Sequence, residues 1–315
     1  MGTPEFALPT LARLVSDGHE IAAVFTQPDK PVGRGKQLHA PPVKTFALEH
    51  AIAVHQPARI KTNEEVRALF ESIKPDACIV AAYGKILPEW LLHMPRLGCI
   101  NVHASLLPKY RGAAPINWAI ANGEAETGVT IMQMDVGMDT GAMLARRATP
   151  IQQAETAIEL TIRLSQIGAD LLSETLQRIE RNEVTPEAQN EREATYAPIL
   201  KREDGLLDWQ LNAREIANRV RAFQPWPAVY TSFHKARLIL WQATELSQND
   251  RPTVPIEQAK VAVITAIDKT GFVVACANQT FLHIAEVQLE GKRRVAAKDF
   301  LNGARLSVGD ALADS

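Results

Sequence analysis

Apolar and polar positions follow two rhythms along the first 180 or so residues. Leu8, Leu11 and Val15 recur at helical spacing behind Thr3-Pro4-Glu5, with Thr3 the expected N-cap and Gly18 closing the helix. Residues 21–25 form a short apolar strand. Thr62-Asn63-Glu64-Glu65 reads as a capping box opening a helix that turns Val66, Leu69, Phe70 and Ile73 inward. Residues 77–82 and 98–102 are brief apolar runs bounded by breakers, as buried parallel strands should be, and 128–134 is a third strand-like run. A long amphipathic helix over 156–181 carries Leu160, Leu164, Ile167 and Leu171 on one stripe. Strands alternating with helices predict an α/β domain over 1–181, built on a doubly wound, Rossmann-like parallel sheet.

The rhythm breaks twice. Residues 27–42 are too rich in Pro and Gly to form regular structure, and the polar stretch 182–202 reads as a linker. Beyond it, a helix near 213–222 precedes short strands at 238–241, 261–267, 272–276 and 281–287. Asp268-Lys269-Thr270-Gly271 and Ala277-Asn278-Gln279 supply turns between the last three. Residues 203–315 therefore form a second, small antiparallel barrel or sandwich.

Composition narrows the function. The 315 residues are 46% hydrophobic and 22% charged with net charge −2, so bulk charge gives no support for nucleic-acid binding and only a local patch can provide it. The second domain holds 13 Lys/Arg against 13 Asp/Glu; only a local cluster such as Lys292-Arg293-Arg294 could meet RNA, and taken alone it reads more readily as a solvated turn. Cys78, Cys99 and Cys276 are sparse, odd in number and form no CxxC, which points to reduced thiols in the cytoplasm. No apolar run approaches the roughly 18–20 residues a spanning helix needs, so no membrane association is expected. Cys99 and His103 lack partners at zinc spacing and no HExxH occurs, so no metal is expected. Gly33-Arg34-Gly35-Lys36 is neither a P-loop nor a dinucleotide fingerprint.

The chemistry concentrates in Cys99-Ile-Asn101-Val-His103-Ala-Ser105-Leu-Leu-Pro108. Residues two apart in a strand face one side, so Asn101 and His103 project together where an apolar strand runs out, the place where open α/β sheets bind ligands. Taken alone, the pair reads more readily as a hydrogen-bonded core Asn and His. Asp139, in the acidic Gly-broken loop Asp135-Val-Gly-Met-Asp139-Thr-Gly141, alone reads as an Asx turn. Together the three suit acyl transfer to an amine: an Asn amide and a His donate to an oxyanion, and an Asp manages the proton leaving the nitrogen. No GxSxG elbow is present, so direct attack by the amine is favoured over a covalent enzyme intermediate.

These motifs, with Gly2-Thr-Pro-Glu-Phe6, the loop Thr26 to Lys36, Arg111-Gly-Ala-Ala-Pro115 and Arg221-Ala-Phe-Gln-Pro-Trp-Pro227, resemble the folate-dependent formyltransferases, and within them the branch acting on methionyl-tRNA. The resemblance implies Asn101, His103 and Asp139 as catalytic residues. It implies that Ser105, Leu106, Leu107 and Pro108 contact the tetrahydrofolate of a 10-formyltetrahydrofolate co-substrate. Lys30, Arg34 and Lys36 would meet the acceptor end of methionyl-initiator-tRNA, and a C-terminal OB-like barrel would help hold that RNA. A monomer is expected. Formylation of an amino sugar or of glycinamide ribonucleotide, hydrolysis of formyl-tetrahydrofolate, and non-catalytic RNA binding are the alternatives. The Arg34 loop and residues 223–227 weigh against the other enzymes, and the Asn-x-His with Asp weighs against mere binding. The similar enzymes place an apolar strand before Gly-Thr-Pro; here Met1-Gly2 stands there, and the sheet is expected to lack that central strand.

Overall fold

Helix α1, Leu8–Ser16, starts later than its sequence signals suggest. Pro4 leads into a 3-10 turn over Glu5–Ala7, and no side chain caps either segment. The Thr3 hydroxyl is engaged elsewhere: it donates to the Tyr83 carbonyl at 3.2 Å and accepts from the Gln27 N–H at 3.3 Å. Gly18, at φ +82°, ends the helix as expected. The computed structural model describes residues 1–32, 37–250 and 260–312. They form two units: 1–116 with 126–150 and 159–198, and 117–125 with 151–158 and the chain from Ile199 onward.

In the first unit, β1 (Val24–Phe25) pairs in parallel with β4 (Val54–His55). Between them in sequence, β2 (Lys30–Val32) and β3 (Gln37–His39) form an antiparallel pair, so part of the loop expected to be irregular is regular. Helix α2 spans Pro42–Glu49 and α3 spans Glu64–Ile73. Asn63, not Thr62, caps α3 by accepting from the Val66 N–H at 3.1 Å. With the start shifted by one residue, the third helical position is Val66, which has no carboxylate to reach back, and the box is not formed.

The main sheet runs β5 (Cys78–Val80), β6 (Cys99–His103), β8 (Glu126–Gln133), β9 (Met143–Pro150). Only β5 and β6 are parallel; β8 is antiparallel to both β6 and β9. The expected all-parallel sheet is therefore mixed. β8 is the strand that runs against the others, and the short loop 134–142 joins it to β9 as a hairpin. Strand β9 escapes sequence reading because only alternate residues are covered and Arg146 and Arg147 lie in it, as on a sheet edge. Helix α4 covers Glu89–His93; α5, Pro115–Ala121, belongs from Asn117 onward to the second unit. Helix α6, Ala157–Glu180, matches the amphipathic pattern, with Leu160 and Leu164 fully buried. Gly168 lets α6 approach β6 and β8: a Cβ there would stand 2.7 Å from Val102. Met1-Gly2 joins the β1 and β5 strand pairs, Gly2 N–H donating to Phe25 at 3.0 Å and Ala81 N–H to Met1 at 2.9 Å. Beside this bridge lies a cavity of about 420 Å³ lined by Ile21, Ala23, Phe70, Ala77 and Ile79, among others.

The stretch read as a linker packs with this unit as far as Pro198. Met143 and Glu187 exchange two backbone hydrogen bonds of 2.8 Å. The short strand β7 (Arg111–Gly112) pairs in parallel with β10 (Tyr196–Ala197). These bonds join backbone atoms, so a polar composition does not disclose them.

The second unit holds α7 (Ala213–Ala222), capped by a true box between Asn212 and Glu215. Its sheet contains β11 (Val229–Phe233), β12 (Ala236–Glu245), β13 (Ile264–Ile267), β14 (Phe272–Cys276), β15 (Thr280–Leu289) and β16 (Val295–Ala296), and α8 (Ala297–Ala304) follows. The order is β11-β12-β15-β14-β13 with β16 beside β15, every pairing antiparallel. Among the described residues nothing pairs β11 with β13, so the sheet path is open where an OB-like barrel was expected.

Candidate active site

Strand β6 lies between β5 and β8, and all five of its residues are buried. Asn101 stands opposite Met132 of β8 and His103 opposite Thr130. They are 8% and 5% exposed, an environment in which an unmet hydrogen-bonding group is costly. The two differ in how they meet it. His103 Nε2 lies 3.1 Å from the Tyr110 carbonyl, which as an acceptor fixes an N–H on that nitrogen and leaves Nδ1 facing the other way. The Asn101 side chain makes no hydrogen bond to another described residue. Buried amides normally find partners within the chain, so a partnerless one at a strand end suits a ligand carbonyl.

Asp139 comes from the 134–142 loop. Its Oδ2 lies 3.7 Å from His103 Nδ1 and accepts from the Gly112 N–H at 2.9 Å. The Asx turn of that loop belongs to Asp135, whose Oδ1 accepts from the Gly137 N–H at 3.1 Å and the Thr140 hydroxyl at 2.7 Å. Asp139 is thereby released from turn duty and points inward, with its side chain 17% exposed. Its backbone is left-handed at φ +54°, a conformation unfavourable for a residue with a side chain. Oδ1 makes no hydrogen bond to another described residue.

The segment after β6 is packed more tightly than sequence suggests. Ser105, Leu107 and Pro108 are buried and Leu106 is half-buried. The Ser105 hydroxyl donates to the Lys109 carbonyl at 2.6 Å. Thr130, fully buried, clamps the turn: its hydroxyl donates to the Ser105 carbonyl at 2.7 Å and accepts from the Leu107 N–H at 3.1 Å. Lys30 is exposed at the start of β2, while Arg34 and Lys36 lie outside the described residues. No cluster of metal-ligating side chains occurs among the described residues, and no helix there is long and apolar enough to cross a membrane. All three cysteines are free and buried. Sequence reading missed Thr130, the Tyr110 carbonyl and the Gly112 N–H, the last two being backbone groups that no side chain discloses.

A partnerless buried amide, an imidazole with one nitrogen fixed, and an inward carboxylate at the end of an α/β strand make a site suited to moving an acyl group onto an amine. Residues 1–176 match the family described as formyl transferase, and residues 199–305 match the formyl transferase C-terminal domain. The chain belongs to the formyl transferase family and is a formyltransferase enzyme. The methionyl-tRNA formyltransferase of Geobacter metallireducens is 48% identical over 98% of this chain and 96% of its own. That of Acidobacterium capsulatum is 50% identical over 97% of this chain and 96% of its own. An N-formyltransferase structure from Helicobacter canadensis, in complex with folinic acid and dTDP-3-aminofucose, has a TM-score of 0.63 over 90% of this chain and 97% of that one. At 18% identity that last likeness is one of fold.

Proposed function

We propose that the chain transfers the formyl group of 10-formyltetrahydrofolate to the α-amine of methionine on initiator tRNA, using Asn101, His103 and Asp139. What carries the reading is near-full-length identity, across both units, to enzymes named for formylating methionyl-tRNA. The donor supplies the formyl carbon. The Asn101 amide donates to the formyl oxygen as negative charge builds on it. His103, its Nε2–H held by Tyr110, turns Nδ1 toward the reacting groups; protonated there, it is a second donor to the same oxygen. Asp139 Oδ2 faces that nitrogen from 3.7 Å. The open Oδ1 takes the proton of the attacking amine as the new C–N bond forms. It returns that proton to the departing folate nitrogen as the old C–N bond breaks, so charge and protons balance.

Leu106, the half-buried member of residues 105–108, is the side chain of that segment we assign to the tetrahydrofolate, with Ser105, Leu107 and Pro108 shaping the wall behind it. Lys30, with Arg34 and Lys36, meets the acceptor end of the RNA, and the C-terminal unit holds the rest. The enzyme works as a cytoplasmic monomer. The test is to incubate it with 10-formyltetrahydrofolate and charged initiator or elongator methionyl-tRNA and to score formylmethionine. Product is expected on the initiator; none there overturns the reading. His103→Ala should lower turnover by about a hundredfold or more.

A further inference from the structure

Asp139 occupies a left-handed backbone conformation, φ +54°, and something must hold it there. Two groups do. The Gly112 N–H grips the carboxylate from one side at 2.9 Å. From the other, Gln189 Nε2 donates to the carbonyls of Asp139 and Gly141, both at 2.8 Å, so one amide spans the turn that carries the carboxylate. Gln189 is itself held. Its Oε1 accepts from Arg111 Nε at 3.0 Å and Nη2 at 2.8 Å. The Arg111 side chain is fully buried, and its outer nitrogens reach Glu191 at 2.9 and 2.7 Å. Both donors and the acceptor of the Gln189 amide are therefore engaged, and its orientation is fixed by the guanidinium fork. Arg111 and Gly112 are adjacent, so one short strand holds Asp139 twice, through a backbone N–H and through the Gln189 side chain.

Residues 182–198 are fastened to the unit by backbone bonds as well, between Met143 and Glu187 and in the pairing of Tyr196 and Ala197 with Arg111 and Gly112, which flank Gln189 on both sides. The segment is thus anchored by backbone on either side of Gln189, and the Gln189 amide adds the bonds that span the Asp139 turn. We propose that Gln189 is a positioning residue for formyl transfer: oriented by Arg111, it fixes the turn that aims the Asp139 carboxylate at the attacking amine. The proposal rests on the reading that Asp139 handles the amine proton.

Gln189→Glu separates clamp from fold. It keeps an oxygen acceptor for Arg111, now a charged one, and loses both donors to the Asp139 and Gly141 carbonyls. The enzyme would be assayed with formyl donor and methionyl-tRNA, reading single-turnover rate and KM apart, beside Asp139→Asn and Gln189→Met. For Gln189→Glu the rate should fall roughly ten- to a hundredfold, since small misplacements of a reacting group have such effects, while both KM values stay within about twofold. Gln189→Met, of similar length but with no polar atom to donate, should show the same split. A wild-type rate in folded Gln189→Glu and Gln189→Met, with Asp139→Asn inactive, overturns the positioning role and leaves the parent reading standing. A wild-type rate in Asp139→Asn overturns the parent reading and this one with it. If KM rises while the rate holds, or if neither Gln189 variant folds, Gln189 is a structural strut and the proposal falls.

Discussion

The two units treat their buried polar groups in opposite ways. In the second, they are closed within the chain: the Trp209 indole donates to the Thr231 hydroxyl at 3.1 Å, and the Thr265 hydroxyl donates to the Val273 carbonyl at 3.3 Å. Cations there are answered locally too, Arg237 by Glu290 at 2.6 Å and Arg294 by Glu286 and the face of Trp241. In the first unit, the end of β6 stays open. Asn101 has no described partner, Asp139 has a bare oxygen, and 3.7 Å separates His103 from Asp139. A polar group closed within the chain is committed to the fold, whereas the open groups at the end of β6 remain available to a ligand.

The comparison breaks first on the second unit if its sheet is not what holds it. Phe272 is fully buried and stands in register with both Ile267 and Ile284. Phe272→Ala should cost about 3–5 kcal/mol in denaturant unfolding; an unmoved midpoint would mean that closure here carries little. Next comes the mirror case. Asn101→Ala should lower turnover by about a hundred- to a thousandfold, as loss of one oxyanion donor does. Because no intramolecular bond is lost, its unfolding free energy should stay within about 1 kcal/mol of the parent. A large loss of stability with modest loss of rate would make Asn101 an ordinary core residue.

How much of this was legible depends on where a signal lives. Asn101 and His103 were readable because strand alternation fixes their side and the apolar run fixes their depth. α6 was readable because Leu160, Leu164 and Leu171 repeat at helical spacing. The hydrogen-bond partners were not. His103 is oriented by a backbone carbonyl, Asp139 by a backbone N–H and by an amide fifty residues away in a stretch whose composition reads as a linker. Such contacts leave no period and need no particular residue type on one side. The mixed sheet was hidden for a related reason: a buried strand shows its burial but not its direction, and the hairpin of β8 and β9 is set by loop length.

A smaller effect sharpens the comparison through pH. Asp268, in the turn between β13 and β14, is a closed group in the second unit. Burial pushes its carboxyl up, but the Thr270 hydroxyl, the Thr270 and Gly271 N–H groups and the neighbouring His283 outweigh this and hold it at about 2. A carboxyl held below its unfolded value contributes stability that is full above the unfolded pKa, near 4, and is lost as pH falls through that value toward about 2. The side chain is 49% exposed, so solvent screening reduces the contribution to on the order of 1 kcal/mol. Asp268→Asn should therefore lower unfolding free energy by about that much at pH 7, and by progressively less from pH 4 to pH 2. Measured in urea across that range, the variant and parent curves should converge on acidification; a difference that held constant with pH would assign the effect to turn geometry instead of charge.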